Sequence, residues 1–330
     1  MKKISRALFI NFGGIGDEIL FLPTLKSFKT KYPEAHITLA LEPRSKSIKN
    51  LSSLIDDVLL IDVKSKNKYF ELIKLIFKAR IGKYDIVFSS GGNKLISILL
   101  FLTGIKQRYG FDTGKLSQLL LTKSCPLIKN RYASEMYHAL VQPITNDFAQ
   151  IPEIKIDEAI EIEPNSVVIH PGVSKMSVSK NMVKTYSPEK WTDLIKQLLN
   201  KGKKVYLAGG PDDKDYIQAI TANFDENTDN FINYYGKTKN IMDLAKLIAS
   251  KEALVCCDSA PMHIGIGVNT KVLAIFGPTD EKKLIPQNEK FIAIKNASCS
   301  CRPCLWDKRN TTCSALTCLE IPIDEILKQL

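Results

Sequence analysis

Apolar and polar positions alternate along the chain in a repeating rhythm. A short apolar run, Ala7-Leu8-Phe9-Ile10-Asn11-Phe12, opens it and reads as a buried strand. The turn Gly13-Gly14-Ile15-Gly16 follows, and Asp17 to Thr30 carries Ile19, Leu20, Leu22, Leu25 and Phe28 at helical spacing. Further strands are predicted at His36–Leu41, Val58–Val63, Asp85–Ser89 and Tyr109–Phe111, with helical stretches between them. Residues 149–164 are polar, aperiodic and end in proline, which marks an interdomain linker. The rhythm then restarts. Strands are predicted at Val167–His170, Lys204–Ala208, Ala253–Cys257 and Lys271–Phe276. Helices are predicted at Pro188–Asn200, with Ser187 as cap, and at Asn240–Ser250. Strands alternating with helices imply parallel sheets covered on both faces. The pattern therefore predicts two α/β sandwiches with a cleft between them, and ligands beyond the carboxyl ends of strands.

Composition adds charge. The chain has 330 residues, of which 25% are charged and 45% hydrophobic, which excludes a disordered or fibrous protein. Net charge is +11, with +7 in residues 1–165 and +4 in residues 166–330. Such a balance favours an anionic partner: nucleic acid, membrane surface or phosphorylated substrate. Met1-Lys2-Lys3 opens no secretory signal, and runs such as Ile96–Leu102 are far below the ~20 residues of a membrane span. A cytoplasmic protein is expected.

Four stretches carry candidate chemistry. Gly13, Gly14 and Gly16 lie between strand and helix, with Asp17 at the helix mouth. As a dinucleotide fingerprint the stretch is incomplete, because Ile19 stands where a small residue belongs. Asp17 reads either as a functional carboxylate or as an ordinary first-turn acid. His170-Pro171-Gly172 precedes a loop with Lys175, Lys180 and Lys184, suited to a phosphate or simply solvated. Gly209-Gly210 ends a strand; the nearby Asp213-Lys214-Asp215 is discounted as a metal motif because helices favour acids at their start. Asp258-Ser259-Ala260-Pro261-Met262-His263, with Phe276-Gly277-Pro278-Thr279-Asp280 at the next strand end, forms the most specific pair of loops. Amides at a helix start favour an anion, and Asp258 suits a sugar hydroxyl.

Five of eight cysteines follow: Cys299, Cys301, Cys304, Cys313 and Cys318. Cys301-x2-Cys304 has metal-ligand spacing, so a structural zinc or iron is one reading; reduced thiols or local disulfides are the other.

These motifs, in this order, resemble glycosyltransferase family 9, the ADP-heptose:lipopolysaccharide heptosyltransferases. Gly16-Asp17 with Leu22-Pro23-Thr24-Leu25, His170-Pro171-Gly172, Lys184 through Pro188 to Trp191, Gly209-Gly210 and the Asp258…Asp280 pair carry the resemblance, and the cysteine-bearing tail is also similar to many members. The resemblance implies a GT-B fold, two Rossmann-like domains facing a central cleft. It divides the chain into 1–155 (acceptor side), 156–318 (donor side) and a final helix, 319–330, crossing back to the first domain. It implies inverting transfer of a heptose from ADP-heptose to a lipopolysaccharide core, with Asp17 as general base. Gly13, Gly14 and Gly16 would form the acceptor-side loop. Lys184, Gly209, Gly210, Asp258, Ser259, Ala260, Pro261, Met262 and His263 would bind the donor. No cofactor would be required, no nucleic-acid partner is implied, and the acceptor would be an anionic lipid-linked saccharide at the inner face of the inner membrane. Ala260 replaces the usual Gly, Asn11 replaces Arg, and the Lys184–Trp191 block is looser than usual, which leaves Lys180 as an alternative to Lys184. Other readings are a protein-directed heptosyltransferase with a cysteine-bound metal, an NAD-dependent oxidoreductase, and a non-enzymatic binding protein. Asp17, Asp258 and His263 together argue against the last.

Overall fold

The computed structural model describes residues 3–172, 177, 182–225, 228–305 and 313–330. The chain divides into two compact units, Met1–Glu153 and Ile154–Leu330.

The first unit is built on a parallel sheet of β1 (Arg6–Ile10), β2 (His36–Leu41), β3 (Asp57–Leu60), β4 (Ile86–Ser89), β5 (Gln107–Phe111) and β6 (Lys123–Cys125). Their order is β3-β2-β1-β4-β5-β6. The central strands read as continuous apolar runs because both faces are covered. The helices are α1 (Ile15–Lys31), α2 (Lys68–Ile81), α3 (Leu95–Leu102), α4 (Lys115–Leu120), α5 (Ala133–His138) and α6 (Gln142–Thr145). Helix α1 connects toward the β3 edge, whereas α2, α3 and α4 connect toward the β6 edge. Right-handed crossovers therefore place α1 on one face and the other three on the opposite face. Contacts agree: α1 packs on α5, while α3 packs on α2 and α4. Phe9 points to the α1 face, where it stacks on Phe88 at 4.6 Å and meets Phe28 edge-on at 5.2 Å. Its neighbours Leu8 and Ile10 point the other way, into a cluster with Leu75, Ala79, Leu99 and Leu100.

The second unit holds β7 (Glu163–His170), β8 (Lys204–Leu207), β9 (Phe231–Asn233), β10 (Lys251–Cys257), β11 (Lys271–Phe276) and β12 (Phe291–Lys295). Its order is β12-β11-β10-β7-β8-β9, again parallel, and from the opposite edge this repeats the first sheet's connectivity. The helices are α7 (Pro188–Asn200), α8 (Lys214–Thr221), α9 (Ile241–Ala249), α10 (Ala260–Gly267), α11 (Glu281–Leu284) and α12 (Asp324–Leu327). Ser187 caps α7 by accepting from the Lys190 amide at 3.4 Å, and Asn240 caps α9 by accepting from Met242 and Asp243. Trp191 and Tyr186 fill the core on one face of this sheet. Ile326 and Leu327 of α12 join that same core, so the last helix spends its apolar residues within the second unit.

The predicted linker is partly structured. The Ile154 amide donates to the Gly267 carbonyl at 2.8 Å, and Ile154 is buried against Gly267. Among the described residues, no helix is long and apolar enough to cross a membrane.

Candidate functional site

In the first unit the β1–α1 turn is shaped around a carboxylate. Helix α1 begins with exposed amides, and Asp17, in its first turn, folds back so that Oδ2 accepts from the Gly14 amide at 2.8 Å. This is a capping contact, as first-turn acids make. Gly13 allows it, since a Cβ there would lie 2.3 Å from the Asp17 Cβ. The second oxygen, Oδ1, accepts from the Tyr137 hydroxyl of α5 at 3.5 Å. The Ser45 hydroxyl donates to the Gly13 carbonyl at 3.0 Å and steadies the turn. Gly16 lies half-buried in the first turn of α1.

Beside Asp17 lies a second carboxyl that sequence reasoning missed. Glu18 is fully buried, accepting from Asn11 Nδ2 at 3.0 Å and from the Gly13 amide at 3.3 Å. Burial, and then the neighbouring Asp17 charge, push its pKa well above the usual carboxylate range despite these bonds. The clue was its place on the α1 stripe with Leu22 and Leu25. Tyr137 carries no such local signal, because it reaches Asp17 from a remote helix.

In the second unit the predicted donor residues gather at the carboxyl ends of β7, β8, β10 and β11. Asp258 follows β10, is buried, and its Oδ2 accepts from Lys184 Nζ at 2.9 Å. Burial alone would raise the Asp258 pKa; the charge and hydrogen bond of Lys184, with Thr279 and His263 adding, hold it below the ordinary value. The spacing from Lys184 to Trp191 now has a cause. The Trp191 indole donates to the Thr185 hydroxyl at 2.9 Å, which donates to the Pro171 carbonyl at 2.7 Å. Lys184 is thereby tied to the end of β7. Lys175 and Lys180 lie outside the described residues.

Ser259 precedes α10 in extended conformation without a side-chain capping bond, with Ala260 and Pro261 opening the helix and Pro261, Met262 and His263 buried. Gly209 lets Ile217 of α8 approach, since a Cβ would meet it at 3.0 Å. The Gly210 amide donates to Asp213 Oδ2 at 2.7 Å, and Gly172 leaves room for that carboxylate. Asp213 is thus a buried cap for the glycine turn, in keeping with discounting Asp213-x-Asp215 as a metal motif.

Arg302 is a third residue that sequence reasoning missed, after Glu18 and Tyr137. Its buried guanidinium donates to the carbonyls of Gly277 and Thr279 and to Glu281 Oε2, each at 3.0 Å. The Cys304 amide donates to the Pro278 carbonyl at 2.9 Å. The cysteine segment therefore holds the loop after β11 in place beside Asp258. Cys301, Cys304, Cys313 and Cys318 line one cavity of about 30 Å³, and the sulfurs of Cys299 and Cys301 lie 3.4 Å apart. Burial, and then the neighbouring cysteines, push the Cys318 thiol up to about 11. Among the described residues no group of three or more His, Cys, Asp or Glu side chains is disposed to hold a metal ion.

Comparison with known proteins identifies the family. Lipopolysaccharide heptosyltransferase 3 of Escherichia coli K12 is 25% identical over 298 residues, covering 84% of each chain. Lipooligosaccharide heptosyltransferase 2 of Campylobacter jejuni is 21% identical over 304 residues, 88% of this chain and 86% of that one. The solved ADP-heptose lipopolysaccharide heptosyltransferase II of E. coli superposes with a TM-score of 0.73 at 19% identity, over 98% of this chain and 97% of that one. The shared fold is GT-B, two Rossmann-like domains. The oxidoreductase alternative falls away, and the Asp17 carboxylate fills the turn where a dinucleotide phosphate would bind. The model of glycosyltransferase family 9 (heptosyltransferase) matches residues 73–314, so the chain belongs to that family and is a glycosyltransferase.

Proposed function

We propose that the chain transfers a heptose from ADP-heptose to an anionic, lipid-linked core saccharide of the lipopolysaccharide type, with inversion at the anomeric carbon. It would work in the cytoplasm, at the inner face of the inner membrane. Residues 1–155 serve the acceptor, Gly13, Gly14 and Gly16 shaping the turn it approaches. Residues 156–318 serve the donor.

The observation that carries this reading is the Asp17 carboxylate, fixed at the mouth of α1 by the Gly14 amide and the Tyr137 hydroxyl. In the reaction the acceptor hydroxyl oxygen attacks the anomeric carbon. The bond from that carbon to the diphosphate oxygen breaks, ADP leaves with the bonding pair, and Asp17 takes the hydroxyl proton. A positioned base contributes roughly 10²–10⁴-fold. Lys184 and the start of α10 at Ser259–His263 stabilise the charge growing on the diphosphate. Asp258 accepts from a hydroxyl of the sugar-nucleotide, and Gly209-Gly210 lets the nucleotide approach the backbone. The names of the relatives support this donor and acceptor class.

The test pairs transfer with donor binding. Asp17→Asn should lower turnover by roughly 10²–10⁴-fold while ADP-heptose still raises the melting temperature as in the wild type. Near-wild-type turnover would overturn the base assignment. A thermal shift with no sugar nucleotide would sink the donor reading.

A further inference from the structure

Fifteen large apolar side chains are exposed among the described residues, and ten of them belong to α2, α3 and α4. Tyr69, Phe70, Ile73, Phe77 and Ile81 of α2 are each more than half exposed, as is Leu119 of α4. Helix α2 needs none of them for its own packing: Leu72, Leu75, Ile76 and Ala79 already face the sheet core. A helix apolar on both sides is expected to be covered on both. The three helices share one face of the sheet, so their outer residues form one surface.

The charge on that surface names the cover. Residues 64–123 hold twelve basic and three acidic side chains, so this stretch supplies most of the molecule's net +11. Lys66, Lys68, Lys78, Arg80 and Lys83 are exposed around the apolar residues of α2. Aromatic and aliphatic side chains ringed by lysine and arginine are the makings of an interfacial helix, with rings at the acyl boundary and cations at the headgroups. A second copy of the chain would bring the same positive surface against itself, which repulsion disfavours.

We propose that the α2–α3–α4 face of the first unit is the surface by which the protein docks on an anionic phospholipid bilayer. This deepens the proposed function, on which it rests for the presence of a lipid-linked acceptor nearby. Its test uses neither donor nor acceptor, so either idea can fail alone.

The experiment is co-sedimentation of the full chain with plain phospholipid vesicles. The protein should pellet with mixed phosphatidylcholine–phosphatidylglycerol vesicles at low ionic strength, far less at high salt, and little with phosphatidylcholine alone. Phe70→Ser with Phe77→Ser should abolish pelleting. Lys78→Gln should weaken it by roughly five-fold. Phe148→Ser, which removes an exposed ring elsewhere in the sequence, should leave it unchanged. Melting curves confirm that each variant is folded; because these side chains are exposed, they should match the wild type. Equal binding to neutral vesicles, binding indifferent to Phe70 and Phe77, or no binding at all would overturn the proposal. So would a wild-type dimer that the double phenylalanine variant converts to monomer, since a second copy would then be the cover.

Discussion

At Gly13 one missing methyl group decides where a carboxylate can sit. A Cβ there would collide with Asp17 at 2.3 Å, and Asp17 cannot yield without losing the Gly14 amide. Gly13→Ala should therefore displace the carboxylate and lower kcat by about 10²-fold, the scale of a 1 Å misplacement. The thermal shift given by ADP-heptose should be unchanged. A kcat equal to wild type would mean that the turn relaxes without moving Asp17. Asp17 and Asp258 stood out because each follows an apolar strand and opens a helix rich in glycine or proline, where ligands meet such sheets, whereas Lys184 stood out only as one of three lysines in the loop after His170-Pro171-Gly172. Glu18, Tyr137 and Arg302 did not. Glu18 is one of two acids in the first turn of α1, and its burial depends on the sheet that α1 covers. Tyr137 and Arg302 act on residues 120 and more than 20 positions away, a relation that only folding creates.

Among the elements, the cysteine segment serves the loop after β11 through Arg302. Replacing its guanidinium by the Arg302→Gln amide leaves two carbonyls and Glu281 short of donors, and loosens the loop beside Asp258. The donor KM should rise roughly ten-fold, with a smaller change in kcat. Arg302→Lys should restore only part, because one ammonium cannot reproduce the fork. Lowered melting temperature with an unchanged KM would reduce Arg302 to a purely structural role. Strands at the centre of each sheet were legible from their apolar runs, and β2 and β11 match the prediction from end to end. Strands β6, β9 and β12 went unread. They lie at sheet edges, β6 and β9 are three residues long, and their pairing is dictated by the neighbouring strand more than by their own residues. Helix α2 shows the opposite limit: its apolar residues announce a helix, but not that half of them face outward.

For the whole molecule, stability should fall in mild acid. His170, buried at the end of β7, is held by burial at a pKa of about 4, below the ordinary 6.5. As pH drops below 6.5 the unfolded chain takes up a proton that the folded one refuses, so stability is full above that value and lost on the way down to about 4. The loss amounts to about 3 kcal/mol. Thermal melting of the second unit across this window should show the decline, and His170→Gln should flatten it. An identical slope in the variant would assign the acid sensitivity to other groups.

The two sheets share one connectivity, and in the first of them a side chain occupies the first turn. In a doubly wound sheet the turn after the leading central strand is the natural seat of a phosphate. After β1 that seat is taken by the chain's own negative charge, since Asp17 already accepts from the Gly14 amide. The first half thus carries its own occupant at that turn. A diphosphate approaching that turn meets a tethered anion in place of a bare amide.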